Sequence, residues 1–288
     1  MKRNLFTALI LSFCFCLNSY SQSTVQESLK FPSKILGEDM HYSIYLPDGY
    51  NTSSRNYPVL YLLHGYSGDE TNWLQSGEMQ RIADKAIGDG DATQMIIVMP
   101  RARNSYYINQ YDGKVPYEDM FFEELIPYID KTYRTRSEKN FRAIAGLSMG
   151  GYGAFYYSLH QPECFSACVP ISAAVFQDDT IEKRRNDPEY KELYARLYGT
   201  DGLEYWHKHN VFNILSNLSD DKLPKVRYYI DCGDDDFLLE CNFQLHKLMQ
   251  KRGIKHEFRV RDGGHTWEYW RTALPDVLKF VSQPFRYN

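Results

Sequence analysis

Apolar and polar positions along the chain fall into two alternating patterns. Short apolar runs at Met40–Leu46, Val59–His64, Met95–Met99, Phe141–Ala145, Ala167–Ile171, Val226–Cys232 and Lys255–Val260 have the length and residue types of strands. Between them, Glu78–Ile87, Tyr117–Tyr133, Gly150–Gln161, Cys241–Arg252 and Thr266–Phe280 read as helices. Within Tyr117–Tyr133, Phe121, Phe122, Leu125 and Ile129 share one helical face and Asp119, Glu123 and Asp130 the opposite one. Pro127 lies inside that pattern and predicts a kink. Strands alternating with helices predict an α/β fold, a mostly parallel central sheet flanked by helices. The alternation breaks from Ala173 to Leu223, a polar, charged and aromatic stretch. Two readings fit residues 173–223, a small helical cap over a site and a solvated helical excursion.

The amino terminus alters the domain picture. Lys2 and Arg3 precede an apolar stretch from Leu5 to Leu17, and Ser19, Tyr20 and Ser21 form a small-x-small sequence before Gln22. This is the pattern of a secretory signal over residues 1–21, too short to be a convincing membrane span. The expected mature protein is then a single α/β domain over residues 22–288, secreted or periplasmic. A lipoprotein reading through Cys14 or Cys16 is disfavoured by bulky Phe13 and Phe15, and an uncleaved anchor is the plainer alternative. The formal charge of −4 and the absence of a basic run argue against nucleic acid as a partner. Of the remaining cysteines, Cys164, Cys168, Cys232 and Cys241 allow three disulfide pairings or buried free thiols, and their spacings match no zinc ribbon.

Candidate chemistry centres on Gly146-Leu147-Ser148-Met149-Gly150, a GxSxG spacing between an apolar run and a helical pattern. Strand, sharp turn and helix in that order make a nucleophile elbow, and the flanking glycines leave room for the crossing strand and helix. A dinucleotide-binding reading of the GxxxGGxG glycines fails on spacing and on the lack of an acidic residue about 20 positions on. A serine nucleophile needs a base and an orienting acid, which follow it in the order acid, histidine in α/β-hydrolases. His265, after Gly263 and Gly264 and before a helix, is the candidate base. His64 precedes the nucleophile, and His207 and His209 sit in a polar context that reads as surface. Among Asp234, Asp235 and Asp236, the last stands deepest in its loop, before apolar Phe237, which is expected to bury it against His265. The run of three also raises calcium, yet no matching ligand spacing follows. The backbone amides of Tyr66 and Met149 are the expected oxyanion donors. Neither a cofactor nor a metal is expected.

The stretches LLHGYSGDETNW, IIVMPRARNSYY, AIAGLSMGGYGAF, CGDDDFLLECN and GGHTWEYW together resemble the esterase D-like branch of the α/β-hydrolases. That branch includes feruloyl and acetylxylan esterases, S-formylglutathione hydrolases, enterobactin esterases and mycolyltransferases. The resemblance implies an α/β-hydrolase fold, a Ser148–His265–Asp236 triad and a serine carboxylic ester hydrolase working through an acyl-enzyme. With export, it points to feruloyl or acetyl groups on plant polysaccharide, an acylated carbohydrate being the expected partner. Trp73, Tyr106, Tyr107, Trp267 and Trp270, with Tyr66, lie in or beside the loops expected to rim the site. In MPRARNSYY, Arg101 and Arg103 stand where relatives often carry aspartate and glycines, making the expected rim cationic. A siderophore esterase binding a catecholate, an acyltransferase and a non-catalytic glycan-binding protein are the alternatives. Oligomeric state is not legible in the sequence.

Overall fold

The structure is a computed structural model that describes residues 23–286. The expected signal at 1–21, with Cys14 and Cys16, lies outside the described residues.

Eight strands form one sheet: β1 (Thr24–Ser33), β2 (Glu38–Leu46), β3 (Val59–Leu63), β4 (Ile96–Pro100), β5 (Arg142–Leu147), β6 (Ala167–Ile171), β7 (Arg227–Gly233) and β8 (His256–Arg261). Their order across the sheet is β1-β2-β4-β3-β5-β6-β7-β8. β1 pairs antiparallel with β2 and β2 with β4, and every other pairing is parallel. The helices are α1 (Asn72–Gln75), α2 (Met79–Gly88), α3 (Tyr117–Asp119), α4 (Ile126–Thr132), α5 (Met149–His160), α6 (Asp178–Asn186), α7 (Lys191–Tyr198), α8 (Glu204–His209), α9 (Val211–Asn217), α10 (Leu239–Lys251) and α11 (Trp267–Arg286).

The central strands are continuous apolar runs because both faces of the sheet are covered. Val59, Tyr61 and Leu63 of β3 pack into one core with α5, α10 and the helices of 178–217, while Leu60 and Leu62 pack into another with α2 and α11. α5 is buried from Met149 to Leu159, so it carries no polar face. The expected Tyr117–Tyr133 helix is divided: α3 and α4 are joined by a π-helical segment, Met120–Leu125. Pro127 has no N–H to give the carbonyl four residues back, and a wider helical turn there accommodates the lost bond.

Strand β1 has no counterpart in the expected elements. It is an edge strand with half its residues exposed, and its register with β2 shifts between Gln26 and Leu29, so the inside-outside alternation is confined to Leu29–Ser33, a short stretch that includes Pro32. Residues 173–223 form the helical insert α6–α9, whose Phe176, Arg184 and Tyr190 reach the site described below. The four cysteines from Cys164 to Cys241 are free thiols. Burial pushes the Cys241 thiol up to about 12 and raises Cys168 and Cys232 further, which keeps them protonated and unreactive.

At the carboxyl end of β7, buried Asp231 accepts hydrogen bonds from the Tyr229 and Tyr269 hydroxyls and pairs with Arg261 at 2.5 Å. Arg261 also bonds Asp276 at 2.9 Å. This network fastens β7, β8 and α11 together just below the two loops that leave their ends.

Candidate active site

Parallel strands β3, β5, β7 and β8 send their following loops to the same edge of the sheet, where the candidate residues collect. Ser148 sits between β5 and α5 at φ 55°, ψ −117°, a conformation that costs about 1–3 kcal/mol for a residue with a side chain. Its backbone is fixed there by three bonds: its N–H donates to the Ile171 carbonyl, and its carbonyl accepts from Tyr152 and Ala174 N–H. The two glycines are required by contact. A Cβ on Gly146 would strike the Gly150 carbonyl group, and one on Gly150 would lie 2.5 Å from the Leu63 oxygen and 2.6 Å from that of His64.

His265 Nε2 lies 3.0 Å from Ser148 Oγ, and its Nδ1 lies 2.9 and 3.1 Å from the two oxygens of Asp236. Asp236 is buried, which alone would raise its pKa. Hydrogen bonds from His265 and from Leu238 N–H, with the Ser172 hydroxyl contributing, outweigh burial and hold the carboxyl below its usual value. An ionised carboxylate only accepts, so the proton of His265 sits on Nδ1 and the lone pair of Nε2 faces the serine. The Phe237 ring is 4.7 Å from the His265 ring but 70% exposed, so it does not supply the burial expected of it. The Trp270 indole does more, standing edge-on to His265 at 4.8 Å and donating to Ser172 Oγ at 3.2 Å. This places a seryl hydroxyl, a base able to take its proton and a buried charge able to stabilise the resulting imidazolium in one hydrogen-bonded line, the arrangement for acyl transfer.

His64 has a role that the sequence does not announce. It is buried at the end of β3, accepts the Ala102 N–H at Nε2 and therefore donates from Nδ1 to the Gly65 carbonyl at 2.7 Å. In a trans peptide the following N–H points opposite to that carbonyl, so the Tyr66 amide is turned away from His64 on a loop that lines the cavity. Among the described residues that amide has no protein acceptor. The Met149 amide is the first of α5, where helical N–H groups have no acceptor within the helix.

Burial pushes the pKa of His64 down to about 4, outweighing the Gly65 hydrogen bond. As pH falls from 6.5 toward 4, the unfolded chain takes up a proton that the folded chain refuses, so stability drops with acid across that window by about 3 kcal/mol. Depressed carboxylates such as Asp69 and Asp236 lose their contribution only at lower pH. Denaturant unfolding at pH 7 and pH 4.5 should show this fall, and a flat profile would mean that His64 charges without cost.

The cavity beside Ser148 and His265 measures about 590 Å³. Tyr66, Tyr106, Trp267 and Trp270 line it as expected, joined by Phe176, Arg184, Tyr190 and Phe237. Two expected residues do not line it. Trp73 is buried, its indole donating to the Leu63 carbonyl and its ring edge-on behind Trp267. Tyr107 is fully buried with its hydroxyl on the His64 carbonyl. Arg101 and Arg103 line a separate cavity of about 280 Å³, beside Glu70 and Glu38 respectively, so they are not the cationic rim of the site. His209 is buried against Tyr205 rather than on the surface, while half-exposed His207 bonds Asp178. Exposed Asp234, Asp235 and Asp262 are close enough to share a cation, but Asp234 accepts the Gly263 N–H and ties the β7 and β8 loops as a turn.

The esterase family model matches residues 33–281. An acetyl esterase of Caldicellulosiruptor saccharolyticus is 25% identical over 242 residues, 81% of this chain and 86% of that protein. An endo-1,4-beta-xylanase/feruloyl esterase of Xylanibacter ruminicola is 34% identical over 163 residues, 54% of this chain and 22% of that protein. A solved ferulic acid esterase superposes with a TM-score of 0.80 at 34% identity, over 92% of this chain and 99% of that one. The chain belongs to the esterase family, within the esterase D-like branch of the α/β-hydrolases, and is a carboxylic ester hydrolase.

Proposed function

We propose that Ser148 is the nucleophile, His265 the general base and Asp236 the orienting acid of a two-step ester hydrolysis. The observation that carries this is the line of bonds from Ser148 Oγ through His265 to buried Asp236. His265 Nε2 takes the serine proton as Oγ bonds to the ester carbonyl carbon, and the Tyr66 and Met149 amides receive the oxyanion. The imidazolium then gives its proton to the departing alcohol oxygen as that C–O bond breaks, leaving an acyl-serine. Water, deprotonated by the same nitrogen, attacks the acyl carbon; the Oγ–C bond then breaks as the imidazolium returns the proton to Oγ, which releases the acid and free Ser148.

The substrate in this reading is a feruloyl or acetyl ester of plant polysaccharide or its oligosaccharides, with the aromatic acyl group favoured. A cavity of about 590 Å³ walled by Tyr66, Tyr106, Phe176 and Trp267 gives a hydroxycinnamoyl ring faces and edges to stack on, whereas an acetyl group fills little of it. The named activities of the ferulic acid esterase and the xylanase/feruloyl esterase support the same choice. Methyl ferulate, acetylated xylan and short-chain nitrophenyl esters compared on one enzyme preparation test it. Methyl ferulate should give the highest kcat/KM of the unactivated esters, and acetylated xylan turned over faster would reverse the acyl preference. Export through residues 1–21 belongs to the same proposal, and amino-terminal sequencing of the mature protein should begin at Gln22.

A further inference from the structure

Arg184 is the one permanently charged residue among those that line the cavity, and no aspartate or glutamate lines it, although the chain as a whole is acidic. It sits half-buried on α6, its guanidinium 4.4 Å from the centre of the Phe176 ring and 4.9 Å from that of Tyr190. Both rings line the cavity too. Among the described residues its side chain has no carboxylate partner, and the one hydrogen bond the guanidinium makes to protein is a long one, 3.5 Å from Nη1 to the Tyr194 hydroxyl. A guanidinium carries five N–H donors, so most of its capacity is left unused.

Two acids of the same helix and one just beyond it are engaged elsewhere, and Glu182 is exposed. Asp178 takes the Trp206 indole and His207, and Asp179 pairs with Lys183. Asp187, three residues on from Arg184, accepts the Glu189 N–H. The neighbouring Arg185 is engaged differently, by the Gly199 and Gly202 carbonyls. Arg184 is thus held in place by aromatic contact while its donors remain free beside a space that a substrate fills. Cation–π contact fixes position without consuming the in-plane N–H groups.

We propose that Arg184 binds a carboxylate carried by the substrate, so that the preferred esters are anionic, as an acylated oligosaccharide with a uronate branch is. This rests on Ser148 being the reacting serine of the same cavity. A planar guanidinium meets a carboxylate with two parallel hydrogen bonds, which discriminates strongly against an uncharged analogue. The carboxylate could belong to the acyl group or to the alcohol, and matched pairs separate the two.

One pair is 4-nitrophenyl butyrate against mono-4-nitrophenyl succinate, and the other is a neutral acetylated xylo-oligosaccharide against one with a uronate branch. The wild-type enzyme should favour the charged member of at least one pair in kcat/KM, with the advantage shrinking as salt rises from about 20 to about 500 mM. Arg184→Gln should lower kcat/KM for that member about tenfold and for its neutral partner less than twofold. Arg184→Lys should retain part of the preference through charge alone. Equal rates within both pairs in wild type, or an equal loss on charged and neutral members in both variants, would overturn the assignment and leave Arg184 as a packing residue. Absence of all ester hydrolysis together with absence of Ser148 labelling by a fluorophosphonate would instead overturn the serine reading and this one with it.

Discussion

Replacing Ser148 by alanine should lower kcat on any accepted ester by about 10^4-fold or more, with KM little changed. The substitution removes the atom that bonds to the carbonyl carbon and nothing else of the site. Tyr66 and Met149 amides, the aromatic walls and the His265–Asp236 pair all remain, so residual hydrolysis reflects polarisation of a bound ester alone. Alanine keeps the Cβ, and the unusual backbone angles at 148 are set by bonds to Ile171, Tyr152 and Ala174 that involve no side chain. The variant should therefore melt within a few degrees of wild type and lose fluorophosphonate labelling entirely. Turnover near that of wild type in a cleanly folded variant would remove Ser148 from the mechanism.

What the sequence made legible follows from where each element lies. Strands β3, β5 and β6 are buried on both faces, so their apolar runs end within a residue or two of the observed bounds. The elbow was legible because its motif is local, five residues from Gly146 to Gly150 between an apolar run and a helical pattern, although the Leu63 and His64 backbone that Gly150 clears lies far along the chain. The order serine, acid, histidine was legible because parallel strands deliver their loops to one edge. Strand β1 was hidden by its bulge and its exposure. The rim was hidden for a different reason. Whether a tyrosine or tryptophan faces a cavity or the core depends on partners far along the chain, as with the Tyr107 hydroxyl on the His64 carbonyl and the Trp73 indole on that of Leu63. In the insert, helices α6 and α7 show no period that singles out Phe176, Arg184 or Tyr190. Only the fold of 173–223 over the carboxyl ends of the strands brings them to Ser148. The cationic residue of the site was therefore sought at Arg101 and Arg103, on the loop that carries Tyr106, and is found at Arg184 in the helical insert.

Asp236→Asn should cost roughly 10^3- to 10^4-fold in kcat while leaving the fold in place, because the amide reverses the histidine tautomer. In the wild-type site Oδ1 accepts the Leu238 N–H at 2.8 Å and Oδ2 accepts from His265 Nδ1 at 2.9 Å. An asparagine that keeps its oxygen on Leu238 must present its NH2 to Nδ1. That nitrogen then has to accept, so the ring proton moves to Nε2, where it faces the Ser148 hydroxyl and no lone pair remains to take the serine proton. The charge that stabilises the imidazolium is lost as well. Fluorophosphonate labelling of Ser148 should slow in parallel with kcat, a readout that loss of packing alone would not reproduce at unchanged melting temperature. Asp234→Asn and Asp235→Asn supply the control, since both side chains are exposed and, among the described residues, His265 bonds only Asp236 and Ser148 through its ring. Each should leave kcat within about threefold, as exposed substitutions away from the reacting groups do. An Asp236→Asn enzyme within tenfold of wild type, or an Asp234 or Asp235 variant that collapses instead, would move the acid of the triad to another residue of the same loop.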